Sequence, residues 1–201
     1  MLKKSLEFNK PIYVGMSILD LSKTLMYDFH YDIMVPTFKE LQLMYMDTDS
    51  FMYQIKTDDV FQQFGKLAQY MDTSDYPKEH PNYSTSNKKV LGKFKDEVNG
   101  SIIRKFVALR SKMYAIGIGN QVKKRAKGVQ RATLANKIGF NDYMRVLKEQ
   151  SSILSDMRRI QSRDHQVSTV LLRKKSLDWF DDKRVIMEDG IRTLPHGHYS
   201  L

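Results

Sequence analysis

The sequence predicts an α+β protein, and two patterns support this class. Residues 41–55 contain two apolar, strand-like runs separated by a short polar turn, and residues 18–31 carry apolar side chains at helical spacing. The composition is that of an ordinary globular protein, with 201 residues of which 41% are hydrophobic and 28% are charged. Segregated helical and strand-like segments favour helices packed on one face of an antiparallel sheet.

The first helix is predicted from Ile18 to about Tyr31. Ser17 stands where an N-cap would lie, and residues 9–15 suggest a short extended segment that breaks at Gly15. Pro36 should end the helix, since proline lacks the backbone N–H that a helix interior requires.

A β-hairpin is predicted next, with strands at residues 41–46 and 51–55. Its turn carries Asp47 and Asp49, one residue apart. If the backbone stays extended there, the two carboxylates project from the same face of the hairpin tip.

The segments after the hairpin predict further helices and strands. Residues 57–59 can cap a helix at 60–70, and residues 71–89 form a polar, proline-containing loop. Strands are predicted at 90–97, 102–109 and 113–118, and with the hairpin they suit a sheet of four to five strands. Later helices are predicted at 131–138 and 141–150, the second with Tyr143, Met144 and Leu147 facing inward, followed by a strand at 167–172 and a polar tail at 181–201.

The charge distribution points to a polyanionic partner. The net charge is +10, and residues 101–175 hold 18 Lys/Arg against 4 Asp/Glu. A concentrated basic block favours nucleic-acid binding, although a solvated charged surface is the simpler alternative.

The chain has no cysteine, no apolar run long enough to span a membrane and no signal-peptide core. We therefore expect an intracellular protein that is not secreted and does not bind a membrane.

Two adjacent carboxylates at a hairpin tip are typical of Mg²⁺ sites, because Mg²⁺ prefers hard oxygen ligands and often shares them with substrate phosphates. The alternative is an ordinary polar turn, since Asp and Ser are common turn residues. The large apolar residues on both sides of the turn favour a functional role, because they place the acids at the rim of a buried sheet.

Tyr45-Met46-Asp47-Thr48-Asp49-Ser50 resembles the Y-x-D-T-D-S palm motif of family B DNA polymerases, in particular the protein-primed branch of viruses, linear plasmids, organelles and Polinton/Maverick mobile elements. The resemblance implies that Asp49 and Asp47 are catalytic residues that bind two Mg²⁺ ions in the complete enzyme. It also implies that Tyr45 and Thr48 shape the hairpin near the primer end.

A second motif, Arg110-Ser111-Lys112-Met113-Tyr114, resembles the K-x-Y element with which protein-primed polymerases hold the primer terminus. The resemblance therefore implies that Lys112 and Tyr114 bind nucleic acid. The basic residues that follow complete the expected interface: Lys123, Lys124, Arg125 and Lys127. The implied partners are primer-template DNA, deoxynucleoside triphosphates and a terminal priming protein.

The resemblance implies a partial polymerase palm at residues 1–116 and a thumb-like subdomain with a tail at 117–201. The family's upstream D-x-x-S-L-Y-P motif, its fingers motif of the K-x-x-x-N-S-x-Y-G type and its exonuclease domain are all missing from the sequence. We therefore expect the C-terminal part of a DNA-directed DNA polymerase, inactive alone because half of the two-metal site is missing. The alternatives are a non-catalytic nucleic-acid-binding relic of a mobile element or endogenous virus, and an unrelated α+β interaction protein.

Overall fold

The computed structural model describes residues 9–180, 184–188 and 192–201, and it confirms a mixed α+β protein. The chain forms two compact units, Met1–Ser101 and Ile102–Leu201. The predicted division into palm and thumb at residues 116/117 lies inside a strand of the second unit, Met113–Ile118. The assignment of a palm and a thumb stays a prediction.

The first unit contains a long helix, a hairpin and a loop-rich segment. Its elements are α1 (Ile12–Asp28), a π-helical turn (Phe29–Met34), α2 (Val35–Thr37), β1 (Leu41–Asp47), β2 (Ser50–Ile55), α3 (Val60–Lys66), a 3₁₀ turn (Ala68–Tyr70), β3 (Met71–Asp72) and β4 (Phe94–Lys95). Its core lies between the π-helical turn, β2 and α3, and the buried residues there include Phe29, Met34, Phe38, Leu67 and Met71.

The predicted start of α1 was wrong, because the helix begins at Ile12 and includes the segment that was expected to be extended. Pro11 occupies the N-cap position, where the missing N–H of proline costs little. Ser17 lies inside the helix and its hydroxyl donates to the carbonyl of Tyr13 at 3.0 Å. Pro36 stands within the short α2, just before the helical segment ends at Thr37.

The predicted hairpin and the cap of α3 are confirmed. Strands β1 and β2 pair in antiparallel fashion from Leu41 with Ile55 to Asp47 with Ser50. The Asp59 carboxylate accepts hydrogen bonds from the backbone N–H groups of Phe61 and Gln62, at 2.9 and 3.0 Å. These bonds satisfy two of the donors that every helix N-terminus leaves without an intrahelical partner.

The strand predicted at residues 90–97 was mostly wrong. Only β4 is extended there, and it pairs in parallel with β3. The neighbouring residues turn because Gly92 adopts a φ of 79° and because the Asp96 carboxylate accepts from the N–H groups of Val98 and Gly100. Local side-chain bonds of this kind compete with a sheet ladder for the same backbone donors.

The second unit contains a three-stranded sheet, two helices and a long two-stranded ribbon. Its elements are β5 (Ile103–Arg110), β6 (Met113–Ile118), β7 (Gln121–Ala126), α4 (Arg131–Lys137), α5 (Phe140–Lys148), β8 (Ser152–Arg163), β9 (Gln166–Asp178), β10 (Arg184–Ile186) and β11 (Thr193–Pro195). Helix α5 packs against β5 and β6. Tyr143, Val146 and Leu177 are fully buried in the core of this unit.

The expected sheet of four to five strands was wrong for the described part of the chain. Hairpin β1–β2 forms a two-stranded sheet, whereas β5, β6 and β7 form a separate three-stranded sheet. Strand β7 was not predicted, because a run of cations lacks the apolar alternation that marks a half-buried strand. The ribbon β8–β9 is also far longer than the single strand predicted at residues 167–172.

Helix α5 confirms the inward position of Tyr143, but the inward prediction for Leu147 was wrong. Leu147 is 45% exposed, and Val146 is buried instead.

In the tail, β10 and β11 pair with each other, and residues 181–183 and 189–191 lie outside the described part of the chain. Among the described residues, no helix is long and apolar enough to cross a membrane.

Candidate nucleic-acid interface and carboxylate pair

A β-bulge in β1 determines which way the motif residues of the hairpin face. Leu43 pairs with Tyr53 and Tyr45 pairs with Met52, so Met44 is the extra residue of the bulge. Phe51, Tyr53 and Ile55 pack on the core of the first unit. Because cross-strand partners share a face, Tyr45 and Asp47 lie on the face opposite that core. Without the bulge, strict alternation from Leu41 would turn both side chains inward.

The aromatic face of the hairpin is fastened to the π-helical turn. The ring of Phe29 stacks on Phe51 of β2 with centroids 6.4 Å apart, and His30 Nδ1 shares a hydrogen bond of 3.0 Å with the Tyr53 hydroxyl. Burial raises the pKa of the Tyr53 phenol above its ordinary value. The base of the hairpin is therefore held by packing, while its tip with Asp47 and Asp49 extends beyond that packed region.

The two carboxylates occupy different backbone environments at the tip. Asp47 is the last residue of β1 and is half-buried, whereas Asp49 is exposed and lies in the two-residue turn with Thr48. The Asp47 Oδ1 atom accepts from the Thr48 backbone N–H at 2.9 Å. The backbone is therefore not extended between the two acids, and simple strand alternation does not describe where Asp49 points.

The donor set at the tip is suited to a hard cation that also binds phosphate. Carboxylate oxygens are the ligands that Mg²⁺ prefers, and one or two of them per site are common when a substrate supplies phosphate oxygens. No group of three or more His, Cys, Asp or Glu side chains with metal-binding geometry occurs among residues 9–180, 184–188 and 192–201. Asp47 and Asp49 supply two carboxylates of the kind that Mg²⁺ prefers, and a Mg²⁺ ion bound by them would neutralise phosphate charge.

The K-x-Y residues lie in the second unit, at and after the turn between β5 and β6. Lys112 is exposed and adopts a φ of 58° in the turn with Ser111. Its carbonyl accepts from the Lys127 backbone N–H at 3.0 Å, which brings two of the predicted binding residues side by side. Tyr114 is half-buried on β6, and its ring lies 6.5 Å from that of Phe106.

The pleat of β7 separates the predicted basic residues into two groups. Tyr114 pairs with Arg125 and Ile116 pairs with Lys123, so both exposed cations share the face of the Tyr114 ring. Lys124 pairs with the buried Ala115 and lies on the opposite face. Its ammonium donates to the carbonyls of Ile138 and Ala135 at the end of α4.

Sequence reasoning missed Phe106, and although it included the ribbon cations in the basic block, it did not place them beside residues 128–130. Phe106 pairs with Ile116 and contacts Tyr114, which places it on the same face as Arg125. Lys174 Nζ donates to the Gly128 carbonyl at 3.1 Å, and the Gln130 side chain donates to the Arg158 carbonyl. No sequence signal joins residues so far apart in the chain, because only tertiary contacts bring them together.

No protein-family model matches the chain, and searches of curated proteins and of solved structures also find no match.

Proposed function

We propose that the chain is the C-terminal part of a protein-primed family B DNA polymerase, in which Asp47 and Asp49 form half of a two-metal site for nucleotidyl transfer. The observation that carries this proposal is the bulged hairpin, which presents Tyr45 and Asp47 away from the core and Asp49 in the turn. β-Bulges recur next to active sites, where they redirect side chains. An ordinary polar turn would need no such device.

In the proposed reaction, the carboxylates have a positioning and electrostatic role. Mg²⁺ would neutralise the charge of the phosphates at the tip and align the reacting oxygens. The bond from the Thr48 N–H would fix the orientation of the Asp47 carboxylate, and Tyr45 would stand on the same face of β1. Phosphoryl transfer of this kind requires no protein nucleophile.

Helix α1 supports the idea that the first unit belongs to a larger assembly. Its exposed apolar side chains include Tyr13 at 75%, Met16 at 66% and Leu21 at 70%. A helix that is apolar on most of its circumference is normally buried. In the proposed enzyme, α1 would pack against the upstream half of the palm.

The basic surface of the second unit supports DNA as the partner. Residues 98–141 contain ten Lys or Arg and no Asp or Glu. The ribbon adds exposed cations at Arg158, Arg159, Arg173 and Lys174, and a two-stranded ribbon is narrow enough to enter the major groove. In the proposed enzyme, this unit would hold the primer-template duplex.

Primer extension tests the proposal in two forms of the chain. The 201 residues alone should show no Mg²⁺-dependent extension, because the upstream metal ligand and the nucleotide-binding fingers are missing. A chain extended through the coding frame upstream of the Met1 codon should extend a primer. Asp49→Asn should lower that rate by at least about a hundredfold, because it weakens the neutralisation of phosphate charge by metal.

The matched control is Asp58→Asn, which removes an exposed carboxylate in the loop before α3 and should leave the rate within about twofold, as expected for a site outside the chemistry. Equal rates in the Asp49 and Asp58 variants would contradict the proposal. A closed upstream frame, combined with salt-sensitive DNA binding by the 201 residues, would favour the non-catalytic nucleic-acid-binding relic, since phosphate contacts alone produce such salt dependence.

A further inference from the structure

The outer face of the sheet β5–β6–β7 combines cations and aromatic rings in register. The inner face carries Met113, Ala115 and Ala126 and packs on the core of its unit. On the outer face, each β7 cation pairs with an apolar residue of β6, Arg125 with Tyr114 and Lys123 with Ile116. Phe106 of β5 pairs with Ile116 and therefore extends the row of Lys123 and Ile116 across all three strands.

We propose that this face binds a single strand of nucleic acid, with the phosphate backbone along β7 and unpaired bases over Tyr114 and Phe106. The inference rests on the proposed function for the choice of nucleic acid as the ligand. It goes further in naming a single strand, in adding Phe106, and in dividing the cations of β7 by their face.

The spacing of the cations fits a sugar-phosphate backbone. Alternate residues of a strand stand about 6.8 Å apart on one face, which is similar to the separation of successive phosphates along a nucleic-acid strand. Lys123 and Arg125 are such alternate residues, and Lys127 follows directly after the strand ends at Ala126. All three are exposed, so the row offers up to three consecutive phosphate contacts.

The aromatic row determines the choice of a single strand over a duplex. The Phe106 and Tyr114 rings are inclined by 33° with centroids 6.5 Å apart, and both side chains are half-buried. Aromatic side chains on a sheet surface bind nucleic acid by stacking on bases, which must be unpaired and turned outward to reach them. A duplex would offer only its phosphates, because its bases are already stacked on one another inside the helix.

Lys124 does not belong to this interface, although it lies between two of its members. Its ammonium donates to the carbonyls of Ile138 and Ala135, where the cation satisfies acceptors that the end of α4 leaves without partners. The basic run at residues 123–127 therefore has two roles that alternate with the pleat of the strand.

Fluorescence anisotropy with labelled oligothymidylate tests the interface in the full 201-residue chain. A hairpin duplex of the same strand length is measured beside it, because the ribbon β8–β9 of the same unit is proposed to hold duplex DNA. The double variant Lys123→Gln/Arg125→Gln should weaken binding, and the slope of log affinity against log salt should decrease by about 1.4, or about 0.7 for each lost phosphate contact on a single strand. Phe106→Leu preserves an apolar side chain and should weaken binding by at least about fivefold through lost stacking.

The charge-matched control is Lys137→Gln/Lys148→Gln, which removes two exposed cations from the helices on the inner side and should leave the salt slope unchanged. Equal slopes in the two double variants would overturn the phosphate row, and an equal loss of duplex and single-strand binding in Phe106→Leu would overturn the stacking surface. Asp49→Asn separates this inference from the polymerase proposal. It tests the polymerase proposal by primer extension alone, whereas the variants of Lys123, Arg125 and Phe106 test the interface by oligonucleotide binding, so that either idea can fail without the other.

Discussion

Asp72 illustrates, at the scale of one residue, how a buried carboxylate can organise a segment with little regular secondary structure. Its side chain is 6% exposed, and its two oxygens accept from the backbone N–H groups of Ser74 and Lys89, at 3.0 and 3.2 Å. These bonds, that of Ser74 first, hold the pKa of Asp72 below its ordinary value. A single side chain thereby joins β3 to a turn seventeen residues later.

We expect Asp72→Asn to lower the free energy of unfolding by about 1–3 kcal/mol at pH 7, because the amide group cannot accept both N–H donors and leaves one unsatisfied. The lowered pKa determines the pH dependence. The carboxylate stabilises the fold above its unfolded pKa near 4, and this stabilisation is lost as the pH falls through the lower folded value. Urea unfolding at several pH values should show that the free energies of unfolding of the unmodified protein and of Asp72→Asn become equal in acid.

Asp75→Asn is the matched control for Asp72→Asn. Asp75 forms an ion pair of 2.6 Å with Lys95, but both side chains are about half exposed. Exposed ion pairs contribute little to stability, so the free energy of unfolding of this variant should be close to that of the unmodified protein. A loss as large as that in Asp72→Asn would show that the difference in burial does not determine the effect.

At the scale of the element, α1 is unusual because almost all of its large apolar side chains are exposed and Met26 is its one buried residue. The helix also lacks acidic residues in its first turn and basic residues in its last, so charge adds little to its stability. Its apolar surface should therefore promote association of the isolated chain.

The double variant Ile18→Lys/Leu21→Lys should reduce self-association in sedimentation velocity at micromolar concentration, while the melting temperature changes little because both positions are exposed. Ser17→Lys/Thr24→Lys adds the same charge at exposed positions of the same helix without removing apolar surface, and it should associate more strongly than the first variant. If both variants reduced self-association equally, charge repulsion rather than the loss of apolar surface would explain the reduction.

At the scale of the whole molecule, the two units have separate cores, and we expect them to unfold as separate cooperative transitions. Trp179 is the one tryptophan of the sequence and packs on the core of the second unit. Its fluorescence therefore reports that unit, whereas helical circular dichroism also reports α1 and α3 of the first.

Matched methionine variants test the independence of the two units. Met34→Ala and Met113→Ala each empty a site that is at most 2% exposed, one in each core, and each should cost about 2–5 kcal/mol. Met113→Ala should shift the unfolding transition that Trp179 fluorescence monitors to a lower denaturant concentration. Met34→Ala should leave the midpoint of that transition unchanged. A Trp179 transition that moves equally in both variants would mean that the units unfold together.

The elements with strong local signals were predictable from the sequence. The hairpin at Leu41–Ile55, the Asp59 cap and helix α4 depend on residues close together in the chain, so apolar periodicity and capping chemistry were sufficient to find them. The start of α1 was missed because its first residues are exposed and apolar, with no polar cap to mark them. Strand β7 was missed because its alternate faces both carry cations.

The sequence by itself determined the α+β class, the hairpin with Asp47 and Asp49 at its tip, and the position of the basic block, since each depends on local composition and spacing. The tertiary structure decided the direction of side chains. The bulge at Met44 turns Tyr45 and Asp47 away from the core, and the pairing of β6 with β7 separates Lys124 from Lys123 and Arg125. A shift of one residue reverses the face of a strand, and that shift depends on partners that are distant in the chain.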